Sequence, residues 1–353
     1  MAPSRALALT NAPCVPPAAT SDCGRGAGVA LCLVSACGFG LMAIFAKQAY
    51  AAGLGVTALL AARFVLAACL LWGLVALRGR RSGGRAGAGA GGTARPTRRV
   101  VLAGLALGAI GYAAQASLFF SALRHIDASL TSLLLYTYPA LVFCGAVALR
   151  REHVTPWKAL ALLLASAGAA LVLLDGGTGG LQATGVALAL GAGATYAVYI
   201  LVAEGVVARI DAFELGALIT TGAAVTFLLT GVIGGTLVFP AGGWIWIVAI
   251  ALFSTVLPIV TFMLGMERVG AATASILSTV EPVVTVTLAV AIYAEALVPL
   301  QILGGALVLA AVVALQTRAT RSDRPAVGSA RVSPPHAAGA APARATACEP
   351  AGG

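Results

Sequence analysis

Charged residues are scarce in this sequence. Of its 353 residues, 10% are Asp, Glu, Lys or Arg and 60% are hydrophobic, and the mean hydropathy is +0.98. Soluble globular proteins carry about 25% charged residues, so this composition excludes an ordinary soluble domain. It indicates an integral membrane protein that has the lipid bilayer as its surroundings.

Motifs of common enzyme and nucleotide sites are absent as well. The sequence has no G-x-x-x-x-G-K-[ST] phosphate loop, no H-E-x-x-H and no G-x-S-x-G. Its three histidines, His125, His153 and His336, fall in loops or in the C-terminal tail. An enzyme would need a nucleophile with a positioned base, so we expect no enzyme and no cofactor. A polytopic membrane enzyme and a channel are kept as alternatives, although no filter loop or symmetric pore of the usual channel kind is visible.

Paired cysteine motifs and aromatic-rich basic patches are also lacking. The seven cysteines contain no C-x-x-C pair and lie mostly in apolar runs, where a thiol behaves as a small hydrophobe. We expect no disulfide and no metal site. The net charge of +10 comes mainly from arginines in one linker and one tail, without interleaved aromatics. That pattern favours the cytoplasmic flanks of membrane helices and no nucleic-acid partner.

The sequence does contain long apolar runs. About 20 apolar residues cross the hydrocarbon core of a bilayer, and ten such runs predict an all-α integral membrane protein with ten transmembrane helices. They lie near residues 27–46, 56–77, 100–122, 129–149, 158–174, 183–203, 215–237, 244–265, 272–293 and 298–316.

Segments without apolar runs divide the chain. Residues 1–26 predict a disordered N-terminal tail, and residues 317–353, rich in Arg, Pro, Ala and Gly, predict a disordered C-terminal tail. The linker 78–99, rich in Gly, Ala and Arg, should be flexible. With a cytoplasmic N-terminus, nineteen Lys and Arg residues fall on the cytoplasmic side and only Arg124 outside. The positive-inside rule therefore predicts that both termini are cytoplasmic.

The chain carries an internal duplication. Three pairs of like residues are each separated by 143 positions, namely Pro139 and Pro282, Glu152 and Glu295, and Ser132 and Ser275. The first helices match at an offset of 157, through the sequence G-V-A-L at 28–31 and 185–188. The two copies, 27–175 and 181–316, each hold five predicted spans. Because five is odd, the second copy enters the membrane with opposite polarity, which predicts an inverted repeat.

The end of each copy resembles the EamA family of the drug/metabolite transporter superfamily. The resemblance lies in S-L-T-S-L-L-L-Y-T-Y-P-A-L-V from Ser129 with Glu152, and in T-A-S-I-L-S-T-V-E-P-V-V from Thr273 with Glu295. It covers roughly residues 27–316. It implies a ten-helix secondary transporter of the cell inner (plasma) membrane, usually an exporter of small metabolites such as amino acids or drugs. It also implies a cavity lined by spans one, three, four, six, eight and nine. The oligomeric state is left open between a monomer and a homodimer.

Three prolines inside apolar runs predict interrupted helices. A proline costs about 3 kcal/mol inside a soluble helix, but neighbouring helices or a wet cavity can satisfy the freed carbonyl in a membrane. Pro139, Pro258 and Pro282 are the candidates for helix breaks. Interrupted helices at matched positions of two halves indicate the central site of a transporter.

Two charged residues lie deep within predicted spans. Glu281 directly precedes Pro282 and is about eight residues, or about 12 Å, from the cytoplasmic edge. It is a candidate for proton coupling or ligand contact, and the alternative is a neutral, hydrogen-bonded structural carboxyl. Arg63 lies about 10 Å from the outer edge, where it would pair with Glu281, contact a substrate carboxylate, or reach toward the interface. We expect a small-molecule substrate, with protons as a candidate coupling ion.

Polar residues of other spans complete the candidate site. In span three, Tyr112 and Gln115 share a helix face. In span four, Tyr136 and Tyr138 lie beside Pro139. Tyr196 and Tyr199 share a face of span six. The alternative for any single tyrosine is ordinary packing or an interfacial belt.

Three further charged residues lie at predicted span ends. Lys47 ends span one, where it is a candidate coupling residue or an interfacial anchor. Glu152 and Glu295 are predicted on opposite sides of the membrane, each capping the helix that follows it.

Overall fold

The computed structural model describes residues 22–82, 96–151, 155–174, 182–207 and 210–322. Within these ranges the chain is helical and contains no strand, which confirms the all-α prediction. The helices extend slightly into the predicted tails and linker. The remainder of the tails, the centre of the linker and Glu152 lie outside the described residues.

The helices follow one another with short connections. In chain order they are α1 (Asp22–Ala51), α2 (Val56–Ser82), α3 (Arg98–Ala106), α4 (Ala113–Ala122), α5 (Ala128–Leu135), α6 (Tyr138–Ala148), α7 (Pro156–Leu174), α8 (Ala183–Val207), α9 (Ala212–Ile233), α10 (Trp244–Ala251), α11 (Leu257–Val269), α12 (Ala271–Ser278), α13 (Val280–Tyr293) and α14 (Pro299–Ser322).

Eight helical stretches in the described ranges are long and apolar enough to cross a membrane. They coincide with the predicted spans one to four and six to nine. Two shorter apolar helices, Ala159–Leu171 and Pro299–Ala314, occupy the positions of predicted spans five and ten. The protein is therefore a multi-pass membrane protein, and the count of ten spans stays a prediction.

The long helices pair between the first and second halves of the chain. α1 packs mainly on α11 and α13, and α8 packs mainly on α4 and α6. In the same way α2 packs on α9, and α7 packs on α14. Each pair joins an element of one half to an element of the other. A cavity at the centre of the bundle is consequently formed by both halves.

Glycines bring the third apolar stretch into backbone contact with α9. A Cβ atom at Gly108 would overlap the backbone of Ile219, and one at Gly222 would overlap the backbone of Leu105. In a bilayer, helices do not associate by the hydrophobic effect, because the lipid is itself apolar. Small residues favour association instead by letting the two backbones approach closely. A substitution at either glycine would push the two halves apart.

Each of the three prolines stands at the start of a helix that follows an interruption. Pro139 is the second residue of α6, Pro258 the second of α11 and Pro282 the third of α13. A proline lacks the amide hydrogen that would continue the preceding helix, so it is well suited to the first turn of a new one.

Two π-helical turns interrupt the third and eighth apolar stretches at corresponding positions. They run from Leu107 to Tyr112 and from Leu252 to Val256. Within them, Tyr112 and Thr255 are 143 residues apart, the same offset as the matching prolines. π-helical turns are frequent at functional sites. Neither of them contains a proline, so the sequence pattern does not predict them.

Candidate functional site

A cavity of about 140 Å³ lies between the two halves, at the interrupted helices. It is lined from α1, α2, α5, α6, α8 and α13 and from the π-turn and α4 of the third stretch. The eighth stretch, expected from the family resemblance to line the cavity, does not, whereas α2 contributes Arg63. The polar side chains around the cavity are Arg63, Tyr112, Gln115, Ser132, Tyr136, Tyr138, Tyr196, Glu281 and Thr285.

Arg63 is the most deeply buried charged residue of the site. It is only 1% exposed. Its Nε donates a hydrogen bond of 2.8 Å to Thr255 Oγ1, and its guanidinium lies over the rings of Phe64 and Phe120, at 4.8 and 5.2 Å from their centroids. The side chain therefore stays inside the bundle, and the eighth stretch reaches the cavity indirectly through Thr255.

One nitrogen of the guanidinium has no hydrogen-bond partner in the described chain. This nitrogen is the buried Nη2. No carboxylate of the described chain lies within ion-pair distance of Arg63, Glu281 included. A buried unpaired charge is costly, and arginine cannot lose its proton in a protein. The arrangement therefore favours an anionic group of a bound solute next to Nη2.

Glu281 lies in the first turn of α13, directly after the break. The Tyr136 hydroxyl is 3.1 Å from Glu281 Oε2 and 3.0 Å from the backbone oxygen of Ser278. Ser278 precedes Pro282 by four residues, so its carbonyl is the one that the proline deprives of an amide partner. Tyr136 comes from the other half of the chain and lies within hydrogen-bond distance of both groups at the edge of the cavity.

Four tyrosines form a continuous aromatic cluster along the cavity. The ring centroids of Tyr138 and Tyr196 are 4.6 Å apart, and those of Tyr196 and Tyr199 are 5.9 Å apart. Tyr112 lies 6.0 Å from Tyr199. Tyr199 stands behind the lining residues, whereas the other three line the cavity directly. Gln115 is buried, with 8% exposure, and lines the cavity near Tyr112.

Lys47 lies outside the cavity, at one end of the bundle, which we call the Lys47 end. Its Nζ is 2.8 Å from Glu295 Oε1 and 3.6 Å from Asp127 Oδ1. Glu295 also accepts hydrogen bonds from the backbone amides of Ala128 and Ser129, at 3.0 and 3.1 Å, and from Ser129 Oγ at 2.7 Å. The expectation that Glu295 caps the following helix is therefore wrong. It caps α5, in the other half of the chain, because the free amides at that N-terminus face it.

Sequence reasoning missed the roles of Tyr136 and Thr255. The carbonyl freed by Pro282 is predictable from the sequence, but the donor that reaches it is 142 residues away. Thr255 contacts Arg63 across 192 residues. No local pattern in the sequence predicts contacts between residues this far apart.

Comparisons with known proteins agree with this picture of a membrane carrier. The family described as "EamA-like transporter family" matches residues 26–174 and again 183–317. The chain is 28% identical over 195 residues to the "Uncharacterized transporter YcbK" of Bacillus subtilis (strain 168), covering 52% of this chain and 62% of the relative. It is also 28% identical over 201 residues to an "Uncharacterized transporter" of Archaeoglobus fulgidus, covering 55% and 69% of the two chains. This chain thus spans about three fifths of the length of the Bacillus relative.

A solved crystal structure shares the fold. It has a TM-score of 0.59 and 19% sequence identity, and it covers 85% of this chain and 99% of its own. The family match extends over both halves of the described helices. The chain belongs to the EamA-like transporter family.

Proposed function

We propose that this protein is a secondary active transporter, working as an exporter of small metabolites, and that the central cavity is its substrate site. The observation that carries the proposal is the buried guanidinium of Arg63, whose Nη2 has no partner in the described chain, in a cavity shared by both halves. Transport energy comes from a gradient, because the sequence contains no phosphate loop.

The lining suggests the chemistry of the substrate. Arginine binds carboxylates through short, charge-assisted hydrogen bonds, so Nη2 supports a carboxylate on the solute. Glu281 supplies a second polar contact of opposite sign, suited to an amine. Tyrosine faces favour a flat or apolar remainder. A volume of about 140 Å³ lies below the roughly 300–1,000 Å³ of pockets for drug-sized ligands, which favours a small zwitterion such as an amino acid.

Alternating access between two inverted five-helix repeats accounts for the shared cavity. The cross-half packing of the long helices, the matched π-turns and the double family match support this model. At the Lys47 end, the Lys47–Glu295 contact joins the two halves. The positions that correspond to Lys47 and Glu295 at the opposite end hold Glu204 and Glu152, both acidic. The opposite charges of the Lys47–Glu295 pair are not repeated at the corresponding positions of the sequence, and this asymmetry supports a different closing contact at each end.

The predicted orientation of the chain assigns the Lys47 end to one side of the membrane. With cytoplasmic termini in the inner (plasma) membrane, the Lys47 end faces outward. The ion pair then closes the outer side, and the described conformation is the one that faces the cytoplasm. Binding of substrate, or of a proton at Glu281, would shift the equilibrium between the inward-facing and the outward-facing forms.

Counterflow distinguishes this proposal from a channel or a membrane enzyme. A growth screen of overexpressing cells against toxic amino acids, their analogues and drugs would identify a substrate. The purified protein would then be tested in vesicles loaded with that compound. A carrier exchanges solute across the bilayer and saturates. Uptake that is unsaturable, or that leaves a chemically altered product, would contradict the proposal.

The variant Glu281→Gln tests whether Glu281 binds the coupling proton. If Glu281 couples protons, we expect this variant to lose transport driven by a pH gradient, while substrate exchange continues at a lower affinity because the charged contact to an amine is lost. The matched control is Glu267→Gln, which removes an exposed carboxylate near the end of α11 and should behave as the wild type. Unchanged pH dependence of transport in Glu281→Gln would remove the coupling role of this residue.

A further inference from the structure

A single hydroxyl group links the carboxylate of the cavity to the broken helix. The Tyr136 oxygen is 3.1 Å from Glu281 Oε2 and 3.0 Å from Ser278 O. Glu281 follows the break between α12 and α13, and Ser278 precedes it. The carbonyl of Ser278 lacks an amide partner because of Pro282, and an unpaired carbonyl inside a membrane costs several kcal/mol.

One hydroxyl cannot donate to both groups at full strength, because a tyrosine has one O–H hydrogen and can also accept. When Glu281 is ionised, the carboxylate accepts from Tyr136, since hydrogen bonds to a charged group are the stronger ones. The Ser278 carbonyl then loses its tyrosine donor. When a proton from cavity water binds to Glu281, the carboxylic acid donates to the Tyr136 oxygen, and the tyrosine hydrogen turns to Ser278. Both groups are then satisfied.

We propose that Tyr136 is a proton-linked switch, whose hydrogen moves from the Glu281 carboxylate to the Ser278 carbonyl when Glu281 takes up a proton. This inference rests on the proposed proton coupling at Glu281 and adds its structural consequence. Tyr136 ends α5, in one half of the chain, and its two acceptors flank the break in the other half. Uptake of a proton therefore changes the contact between the halves and stabilises the start of α13. Tyr136 acts here as a positioning residue.

Within the described chain, no charged neighbour pairs with Glu281, so the switch consists of Tyr136, Glu281 and Ser278. The two elements packed closely on α13 are α1 and α5. α1 presents apolar side chains and the carbonyl of Gly40, which accepts from Thr285 at 2.9 Å. Its Lys47 is engaged with Glu295, and α5 contains no charged residue. Arg63, Tyr138 and Tyr196 line the same cavity, and none of the described cations forms an ion pair with Glu281.

Infrared difference spectra of the purified full chain, recorded between alkaline and acidic buffer, test the first step. We expect a carboxylic-acid band in the wild type that is lost in Glu281→Gln. In Tyr136→Phe, the band should persist but move to the frequency of an acid without a hydrogen-bond partner. Absence of the band in the wild type would overturn proton uptake at Glu281 and the switch together. If the band has the same frequency in Tyr136→Phe as in the wild type, the switch is overturned but proton uptake at Glu281 is not.

Hydrogen exchange at the break tests the second step. After correction for the intrinsic pH dependence, the amides of residues 275–285 should exchange about fivefold more slowly in acid than in alkali, the equivalent of one hydrogen bond of about 1 kcal/mol. Tyr136→Phe should lose this difference. The matched control is Tyr50→Phe, which removes a hydroxyl that donates, within the described chain, to the backbone oxygen of Phe120 at 2.8 Å, and it should keep the wild-type difference.

Glu281→Gln provides an independent check that does not depend on the folding of Tyr136→Phe. The amide of glutamine imitates the protonated acid, because it can donate to the Tyr136 oxygen. The Tyr136 hydrogen would then stay on the Ser278 carbonyl. The amides of residues 275–285 should therefore be protected from exchange in both buffers. Exchange in Glu281→Gln that matches the unprotected alkaline state of the wild type would contradict the proposal.

Discussion

Replacing Arg63 with leucine should slow transport strongly and leave the fold as stable as before. Removing one partner of a buried charge pair costs about 2–5 kcal/mol of binding, so we expect the substrate to exchange on the order of a hundredfold more slowly. Arg63 has no carboxylate within ion-pair distance in the described chain. Leucine therefore leaves no unpaired acid behind, and an apolar replacement of a buried charge is often neutral or stabilising.

The measurement combines exchange rates in vesicles with the melting temperature of the purified protein. Arg63→Lys should fall between wild type and Arg63→Leu, because one ammonium cannot hold Thr255 and a substrate carboxylate with the geometry of a guanidinium. Arg78→Leu is the control, since it removes an arginine that stacks on the ring of Phe213 away from the cavity. A loss of about 3–5 kcal/mol of stability in Arg63→Leu would instead indicate a structural ion pair.

Replacing Glu295 with alanine should destabilise the protein and open its Lys47 end. The carboxylate accepts from Lys47, from two backbone amides and from Ser129 Oγ. Its loss leaves Lys47 with only the longer, 3.6 Å contact to Asp127 among the described residues, and leaves the first amides of α5 without their acceptor, at a cost of about 3–5 kcal/mol. Ser129→Ala, which removes one of these bonds, should cost only about 1 kcal/mol. Thermal unfolding of both variants would show the difference, and equal melting temperatures would contradict this account of the contact.

The Lys47–Glu295 contact should not respond to pH in the physiological range. Glu295 follows the span that ends at Tyr293. Burial acts to raise the pKa of its carboxyl, but the hydrogen bonds from Lys47 and Ser129 and the charge of Lys47 together lower that pKa below the ordinary value. The stability it contributes is thus complete above the unfolded pKa of about 4.3 and is lost only as pH falls through the lower folded value. Any pH dependence of transport between about 5 and 8 should therefore come from another group.

The sequence predicted the features that depend on composition and on the repeat. Apolar runs located the spans, and the common offset of 143 residues matched Pro139 to Pro282, whose breaks border the cavity. Glu281 and Arg63 were predicted as site residues because charged residues are rare in such apolar runs. The structure places both residues around one cavity, together with Gln115 and the tyrosines of spans three, four and six.

The contacts between residues far apart in the sequence could not be predicted from a local pattern. Glu295 precedes α14 in the chain, so capping of that helix was the natural expectation. The amides that it actually accepts belong to α5, more than 160 residues away, because helix packing brings that N-terminus to it. The position of Thr255 beside Arg63 likewise depends on a π-turn, which shifts the side chains by a fraction of a turn relative to a regular helix.

The central claim is one cavity that opens alternately to the two sides of the membrane. The most direct test is the labelling rate of Ala116→Cys by an impermeant maleimide, in a chain whose native cysteines have been replaced, from each side of sealed vesicles. Ala116 lines the cavity, and alanine to cysteine is a small change. In a shared two-state equilibrium, adding Glu295→Ala should raise labelling from the Lys47 side and lower it from the other side. Rates that rise together on both sides, or labelling from one side only in every variant, would contradict the account.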